Sequence, residues 1–401
     1  MGALETLEAR GFVQQMTHED EIREALAGDP VRFYIGFDPT ADSLHAGSLV
    51  QIMAMANLQR AGHRVVALVG GGTSRVGDPS GKTELRQMMT AETIAKNSAA
   101  LKAQLERFLV FDGERGVMVD NADWLMQLGY IDFLREIGRH FSVNRMLAAE
   151  AYKQRLERGL SFIEFNYQIL QAYDFLALYR SHGVRLQLGG DDQWGNIVAG
   201  VDLVRRLEQS QVWGLTTPLL TTASGAKMGK TANGAVWLDA DKLSPFDYWQ
   251  YWYNVDDRDV GRFLKLFTFL DLERIAELEA LQGAAINEAK RVLANEVTTL
   301  AHGADAAAQA DAAAKAMVGG QASQEMPTHV VEADAPLFVV LEGSGLAKSR
   351  GEARRLVKGG GVRIDGDKVA DAEQLVERSA LGGEGLVLRV GKKRAVRLVA
   401  G

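Results

Sequence analysis

Short, continuous apolar runs alternate with helical stretches through the first half of the chain. VRFYIGF (31–37) predicts a buried strand, GSLVQIMAMANLQR (47–60) a helix, and RVVALVGG (64–71) a second strand. The run at 64–71 is too continuous for a half-exposed edge. This strand–helix–strand order predicts a parallel α/β sheet. VMVDNADWL (117–125) and VRLQLGG (184–190) predict further strands that end in polar residues. Ligands of such sheets sit beyond the carboxyl ends of the strands. Asp38, Gly72, Thr73, Asn121, Asp192 and Gln193 fall there.

Residues 91–109 and 161–180 have helical periodicity. In the second stretch Tyr167, Gln171 and Asp174 are three and four residues apart and share one face. Polar groups on a largely apolar helix need partners. A polar ligand or an internal hydrogen-bond cluster would each serve. From 244 to 270 the sequence is aromatic and helical, and it continues to about 315 as Ala-rich helix before a Gly/Ser break. The end of the chain mixes short strands, one helix and Gly-rich turns such as KGGGVRIDGDKV. These changes divide the chain into an α/β body (1–222), a loop and α-helical domain (223–325), a linker (326–335) and a small α+β domain (336–401).

The length, 401 residues, suits two or three domains. Cysteine is absent, which excludes disulfides and thiol chemistry and accords with a reducing, cytoplasmic compartment. The N-terminal twenty residues have no signal-peptide pattern, and no run of about 18 apolar residues predicts a membrane span. A net charge of −7 argues against a nucleic-acid partner. The last 61 residues reverse that sign, with 13 Lys or Arg against 8 Asp or Glu. A basic end on an acidic body can bind a phosphate backbone locally.

Two motifs carry the chemistry. One is Tyr34-Ile35-Gly36-Phe37-Asp38-Pro39-Thr40 followed by His45-Ala46-Gly47-Ser48; the other is Lys227-Met228-Gly229-Lys230-Thr231. His45 and Thr40 can donate hydrogen bonds to phosphate oxygens. Gly47 allows close approach at a helix start, where free N–H groups favour anions. Lys227 and Lys230 are compact cations on flexible stems. Together with VGDPSGK, NYQILQAYDF, LQLGGDDQWGNI and YWYNVDDRDV, in this order, these segments make the chain resemble the bacterial tyrosyl-tRNA synthetases, class I aminoacyl-tRNA synthetases, over nearly its full length.

The resemblance implies a Rossmann-like catalytic domain, an α-helical domain and a small α+β RNA-binding domain. It implies adenylation of tyrosine by ATP with Mg2+, as a substrate complex, and transfer of the tyrosyl group to tRNA. No tightly bound cofactor and no protein-held metal are expected. Thr40, His45, Lys227, Lys230 and Thr231 are the expected catalytic residues. Tyr34, Asp78, Tyr167, Gln171, Asp174 and Gln193 are expected to hold tyrosine, with Tyr34 and Asp174 at the phenol. Gly36, Asp38, Gly47, Ser48, Gly190 and Asp192 are expected to join Thr40, His45 and the two lysines around ATP. Lys82, Arg86, Lys348, Arg350, Arg354, Arg355 and Lys358 are expected at tRNA. Helices around 121–160 are expected to form a homodimer interface.

Ser48 stands where many relatives have a second histidine; it can donate a hydrogen bond but carries no charge. Asp191 stands where a serine is common and has no role readable from sequence. Three rival readings stand beside this one: a tryptophan-specific class I synthetase, a non-catalytic RNA-binding protein on a synthetase scaffold, and a nucleotide-binding dehydrogenase. The first strand has no GxGxxG turn, which argues against the dehydrogenase.

Overall fold

The structure is a computed structural model. It describes residues 1–401 except 80–88, 150, 151, 154, 155, 157, 158, 224, 226, 227, 232, 233, 320–327, 383, 384, 392 and 393, and except the side chains of 230, 231 and 317–319. Expected sites at Lys82, Arg86 and Lys227 therefore lie outside the described residues. The chain divides into two compact units, one of residues 1–243 and 255–289 and the other of 244–254 and 290–401.

The first unit is built on six strands: β1 (Gln15–Met16), β2 (Arg32–Phe37), β3 (Arg64–Val69), β4 (Gly116–Asp120), β5 (Leu186–Gly190) and β6 (Trp213–Thr217). Their order is β1-β6-β5-β2-β3-β4. Five strands are parallel, and β1 pairs antiparallel to β6 at the edge. Strand order reverses between β2 and β5, so a crevice opens at their carboxyl ends. Phe33, Tyr34 and Ile35 are buried, as are Val65–Val69, as strands covered on both faces require.

Helix Leu49–Arg60 covers one face and is buried on nearly every side, from Leu49 to Leu58. It begins two residues later than the sequence predicts, because Ala46–Ser48 forms a 3-10 turn first. The strand expected over 117–125 stops at Asp120, and a short helix, Ala122–Leu125, follows. The helix expected over 161–180 is two pieces, Phe162–Phe165 and Tyr167–His182, joined at Asn166.

Residues 255–289, expected with the helical domain, belong to the first unit. Arg10 explains part of this. Its buried guanidinium donates to the carbonyls of Lys265, Thr268 and Leu270 at 3.0, 2.9 and 2.6 Å, closing the C-terminal end of helix Val260–Phe267. Those carbonyls have no partner within the helix.

In the second unit, Trp249 of helix Pro245–Tyr253 stacks on Tyr253 and donates to the Asn295 side chain at 2.7 Å. Arg291 grips Asp311 with two bonds of 2.6 and 2.8 Å. The C-terminal part has its own five-stranded sheet, ordered Asp367–Lys368, Val362–Ile364, Leu386–Val390, Arg394–Ala400, Thr328–Val331. Helices Leu337–Gly343 and Arg350–Lys358 accompany it, around a core that includes Leu337, Leu341, Ala353, Val357, Leu388 and Leu398. Strand Thr328–Val331 lies inside the segment expected to be a linker. It pairs with the last strand of the chain, so the module starts earlier than 336.

Candidate active site

A cavity of about 490 Å³ opens at the carboxyl ends of β2, β3 and β5. Its lining includes Tyr34, Gly36, Asp38, Thr40, His45, Ser48, Asp78, Tyr167, Gln171, Asp174, Gly190, Asp192 and Gln193. Sequence-distant residues expected at tyrosine and at ATP thus border one space. Gly36 faces it with, among the described residues, only the Leu68 side chain, at 3.8 Å, within reach of a Cβ placed there.

A hydrogen-bond chain ties the strand ends together. Tyr167 donates to Asp38 (3.0 Å), which accepts from Thr73 (2.8 Å). The Asn121 amide donates to the Thr73 hydroxyl (3.0 Å) and to Asp174 (2.9 Å), and Trp124 donates to the other Asp174 oxygen (2.8 Å). Gln171 accepts from Asn196 at 3.0 Å. The polar stripe of helix Tyr167–His182 is therefore an internal cluster and a cavity wall at once. Gln193 donates to Asp78 at 2.8 Å and accepts from Asn196 at 3.0 Å, which brings the 78 turn against the β5 exit.

Burial pushes the Asp174 carboxyl up to about 8, against the opposing pull of its bonds from Asn121 and Trp124; the charges of Asp38 and Asp120 add to the rise. Burial also holds the Tyr34 hydroxyl well above the usual phenol range, with the Asp174 charge adding to it. Tyr167 is raised by burial and then by Asp38 and Asp78. Both tyrosines stay neutral hydroxyls, able to donate and accept. Among the described residues the buried Tyr34 hydroxyl has no protein partner.

His45 caps the 3-10 turn, accepting from the Gly47 amide at Nδ1 (3.0 Å). A neutral ring accepting there carries its hydrogen on Nε2 and offers it as a donor. The second motif meets this turn directly. Gly229 has φ +83°, and a Cβ on it would lie 2.6 Å from the Gly47 nitrogen and 3.1 Å from His45 Nδ1. Ala46 donates to the Val236 carbonyl (2.8 Å), Leu238 to Leu44 (2.9 Å) and Val236 to Gly229 (2.9 Å). Lys230–Thr231 pairs with Gly234–Ala235 as a two-stranded hairpin.

Asp191 is not among the residues lining the cavity. It accepts from Gln15 (2.6 Å) and Thr216 (2.9 Å), pinning the turn Asp191–Gln193 to β1 and β6. Sequence reading also missed Gln51, Gln187, Trp124 and Trp237. All but Trp124 line the cavity. Gln187 carried a signal: a polar residue two positions into an apolar central strand, Cα-paired with Tyr34.

In the C-terminal module, Lys348 precedes the cap of helix Arg350–Lys358. Arg350 pairs with Glu342 (2.8 Å). Arg354 pairs with Glu373 (2.8 Å) and lies 3.7 Å from the Phe338 ring centroid. Among the described residues Lys348, Arg355 and Lys358 form no ion pair, so the five expected cations are not equivalent.

Comparison with known proteins gives a consistent account. The family model of tRNA synthetases class I (W and Y) matches residues 26–319, and that of the tyrosine--tRNA ligase SYY-like C-terminal domain matches 320–397. A tyrosine--tRNA ligase of Desulfosudis oleivorans is 54% identical, covering 98% of each chain, and one of Caulobacter vibrioides is 56% identical, covering 98% of this chain and 96% of its own. A C-terminally truncated mitochondrial tyrosyl-tRNA synthetase of Aspergillus nidulans superposes with a TM-score of 0.71 at 31% identity, covering 78% of this chain and 93% of its own. With the second motif packed against the His45 turn and relatives matched over 98% of the chain, the chain belongs to the class I tyrosyl-tRNA synthetases.

Proposed function

We propose that the chain performs tyrosine–tRNA ligation in two steps at the cavity between β2 and β5. The tyrosine carboxylate attacks the α-phosphorus of Mg-ATP, forming the P–O bond of tyrosyl-adenylate as pyrophosphate leaves. A ribose hydroxyl of the terminal adenosine of tRNA then attacks the activated carbonyl, and AMP leaves. Neither step needs a covalent protein intermediate. The protein's task is positioning and stabilisation of developing charge.

In this reading the substrate phenol lies between Asp174, which accepts a hydrogen bond from it, and Tyr34, which donates to its oxygen. An indole offers a donor and no acceptor, so it would leave Tyr34 unpaired and be disfavoured. Tyr167, Gln171 and Asp78 face the α-ammonium. Gly36, Asp38, Gly190 and Asp192 border the adenosine. Thr40, His45 and Ser48 border the phosphates, with Gly47 keeping the turn free of a side chain, and Lys227, Lys230 and Thr231 complete the pyrophosphate side. Lys82, Arg86, Lys348, Arg350, Arg354, Arg355 and Lys358 are the proposed tRNA contacts.

We also assign a homodimer and a cytoplasmic location. Support for the dimer is a run of exposed apolar side chains, including Tyr130 at 60%, Ile131 at 70% and Phe162 at 70% exposure. Isolated proteins rarely leave so dense an apolar set uncovered. The location rests on the cysteine-free sequence.

One observation carries the proposal: Tyr34, Asp174, His45 and Asp192 line the same cavity. The test is amino-acid-dependent exchange of pyrophosphate into ATP, followed by charging of tRNA. Fast exchange with tyrosine alone is expected. Equal exchange with tryptophan, or RNA binding with no adenylate formed, would overturn the proposal.

A further inference from the structure

The segment YWYNVDDRDV has no part in the cavity, yet its end reaches the strand exit that leads to the lysine motif. Asp259 is buried, with 2% of its surface exposed. One of its oxygens accepts from the Ala223 amide at 2.8 Å, and the other accepts from Arg262 at 2.7 Å. The same Arg262 nitrogen donates to the Thr221 carbonyl. Immediately before, the Leu220 carbonyl accepts from the Met228 amide at 3.0 Å. Met228 is buried and its neighbour Gly229 rests on the Gly47 turn. A line of specified contacts thus runs from helix Val260–Phe267, through residues 220–223, to the backbone beside His45.

The Arg262 side chain is 43% exposed, and an ion pair with one partner open to solvent is a poor device for stability alone. What it supplies is geometry: a carboxylate that accepts from one amide and one guanidinium fixes the backbone between them. We infer that Asp259 and Arg262 are positioning residues for adenylate formation, holding residues 221–223 so that the lysine motif meets the His45 turn in register. This rests on the proposed reaction and adds to it a structural element outside the cavity.

The unmodified protein, assayed for tyrosine-dependent pyrophosphate exchange, is the reference and tests the proposed reaction independently. Asp259→Ala is expected to lower the rate of tyrosyl-adenylate formation at saturating substrates at least tenfold. Its tyrosine Kd should stay within twofold, and hydrogen exchange at the Ala223 amide should accelerate. Asp259→Asn, whose carbonyl still accepts that amide, should keep the rate within threefold. The double variant Asp259→Leu/Arg262→Met supplies apolar packing, and should recover the parent melting temperature while adenylation stays slow. The inference is overturned if adenylation recovers together with melting temperature in the double variant. It is equally overturned if Asp259→Ala exposes the Ala223 amide with no loss of rate, or weakens tyrosine binding as much as it slows adenylation.

Discussion

Gly229→Ala is the most direct probe of how the two motifs meet. Two effects of the added methyl can be separated. The first is conformational: φ at Gly229 is +83°, where a Cβ costs about 1–2 kcal/mol. The second is contact: the Cβ would lie 2.6 Å from the Gly47 nitrogen and 3.2 Å from its Cα. Those are backbone atoms and cannot swing aside as a side-chain end can. Restoring an ordinary contact requires the strand beside the lysines to retreat by about 0.8 Å, the gap between 2.6 and 3.4 Å. A displacement near 1 Å at reacting groups costs on the order of 10²-fold in rate. Exchange at saturating substrates should therefore fall about a hundredfold, with tyrosine affinity, proposed to be set at Tyr34 and Asp174, within twofold of parent. Gly225→Ala is the control. Gly225 has φ +81° and, among the described residues, nothing within 4 Å of a Cβ, so it carries the backbone strain without the contact. If the two alanine variants exchange pyrophosphate at rates within threefold of one another, the contact between motifs has no catalytic consequence and the reasoning fails.

Asp174 makes stability depend on pH with a definite sign. Its folded pKa of about 8 exceeds the unfolded value of 3.8, so the folded state binds more protons between them. Its contribution is present in full below about pH 4 and declines as pH rises toward 8, by up to about 1.4 kcal/mol per unit. Asp174→Asn should flatten that slope in melts from pH 5 to 8, while tyrosine-dependent exchange falls. His45→Ala removes a donor from the phosphate side and should lower exchange about 10²–10³-fold, the loss seen when one transition-state donor is deleted, and Ser48→Ala should cost less than tenfold. Reversing charge at Arg355 and Lys358 together should raise the KM for tRNA at least tenfold and reduce its salt dependence, with pyrophosphate exchange unchanged. If the proposed dimer forms through helices 121–160, Ile131→Asp should shift sedimentation toward monomer; a dimer of undiminished affinity, or a parent protein that sediments as monomer, would exclude that interface.

The strands β2, β3 and β4 were legible because their apolar runs are continuous, and β5 because VRLQLGG alternates apolar and polar positions; the cavity was legible because its polar residues follow those strands. β6 was not, since WGLTT has neither a continuous apolar run nor an alternation; it is a strand because β5 supplies its hydrogen bonds. β1, two residues long, exists only as a partner to β6. The place of residues 255–289 depends in part on Arg10, a single side chain more than two hundred positions away. Trp124 was missed because its role comes from the helix start after β4, where the sequence reads as strand. Asp191 read as an excess charge beside the site, and only the fold reveals Gln15 and Thr216 beneath it.

The strand order has a consequence for a chain made from its N-terminus. β2 is central, and its pairing with β5 waits on residues 186–190. Until then a nascent sheet of β2, β3 and β4 presents β2, with Phe33, Tyr34 and Ile35, as a bare edge, the template for misassociation between chains. Substrate cannot protect that intermediate, because Gln193 and the lysine motif have not yet been translated. Protection must come from outside the chain, and slow translation just before residue 186 would lengthen the hazard.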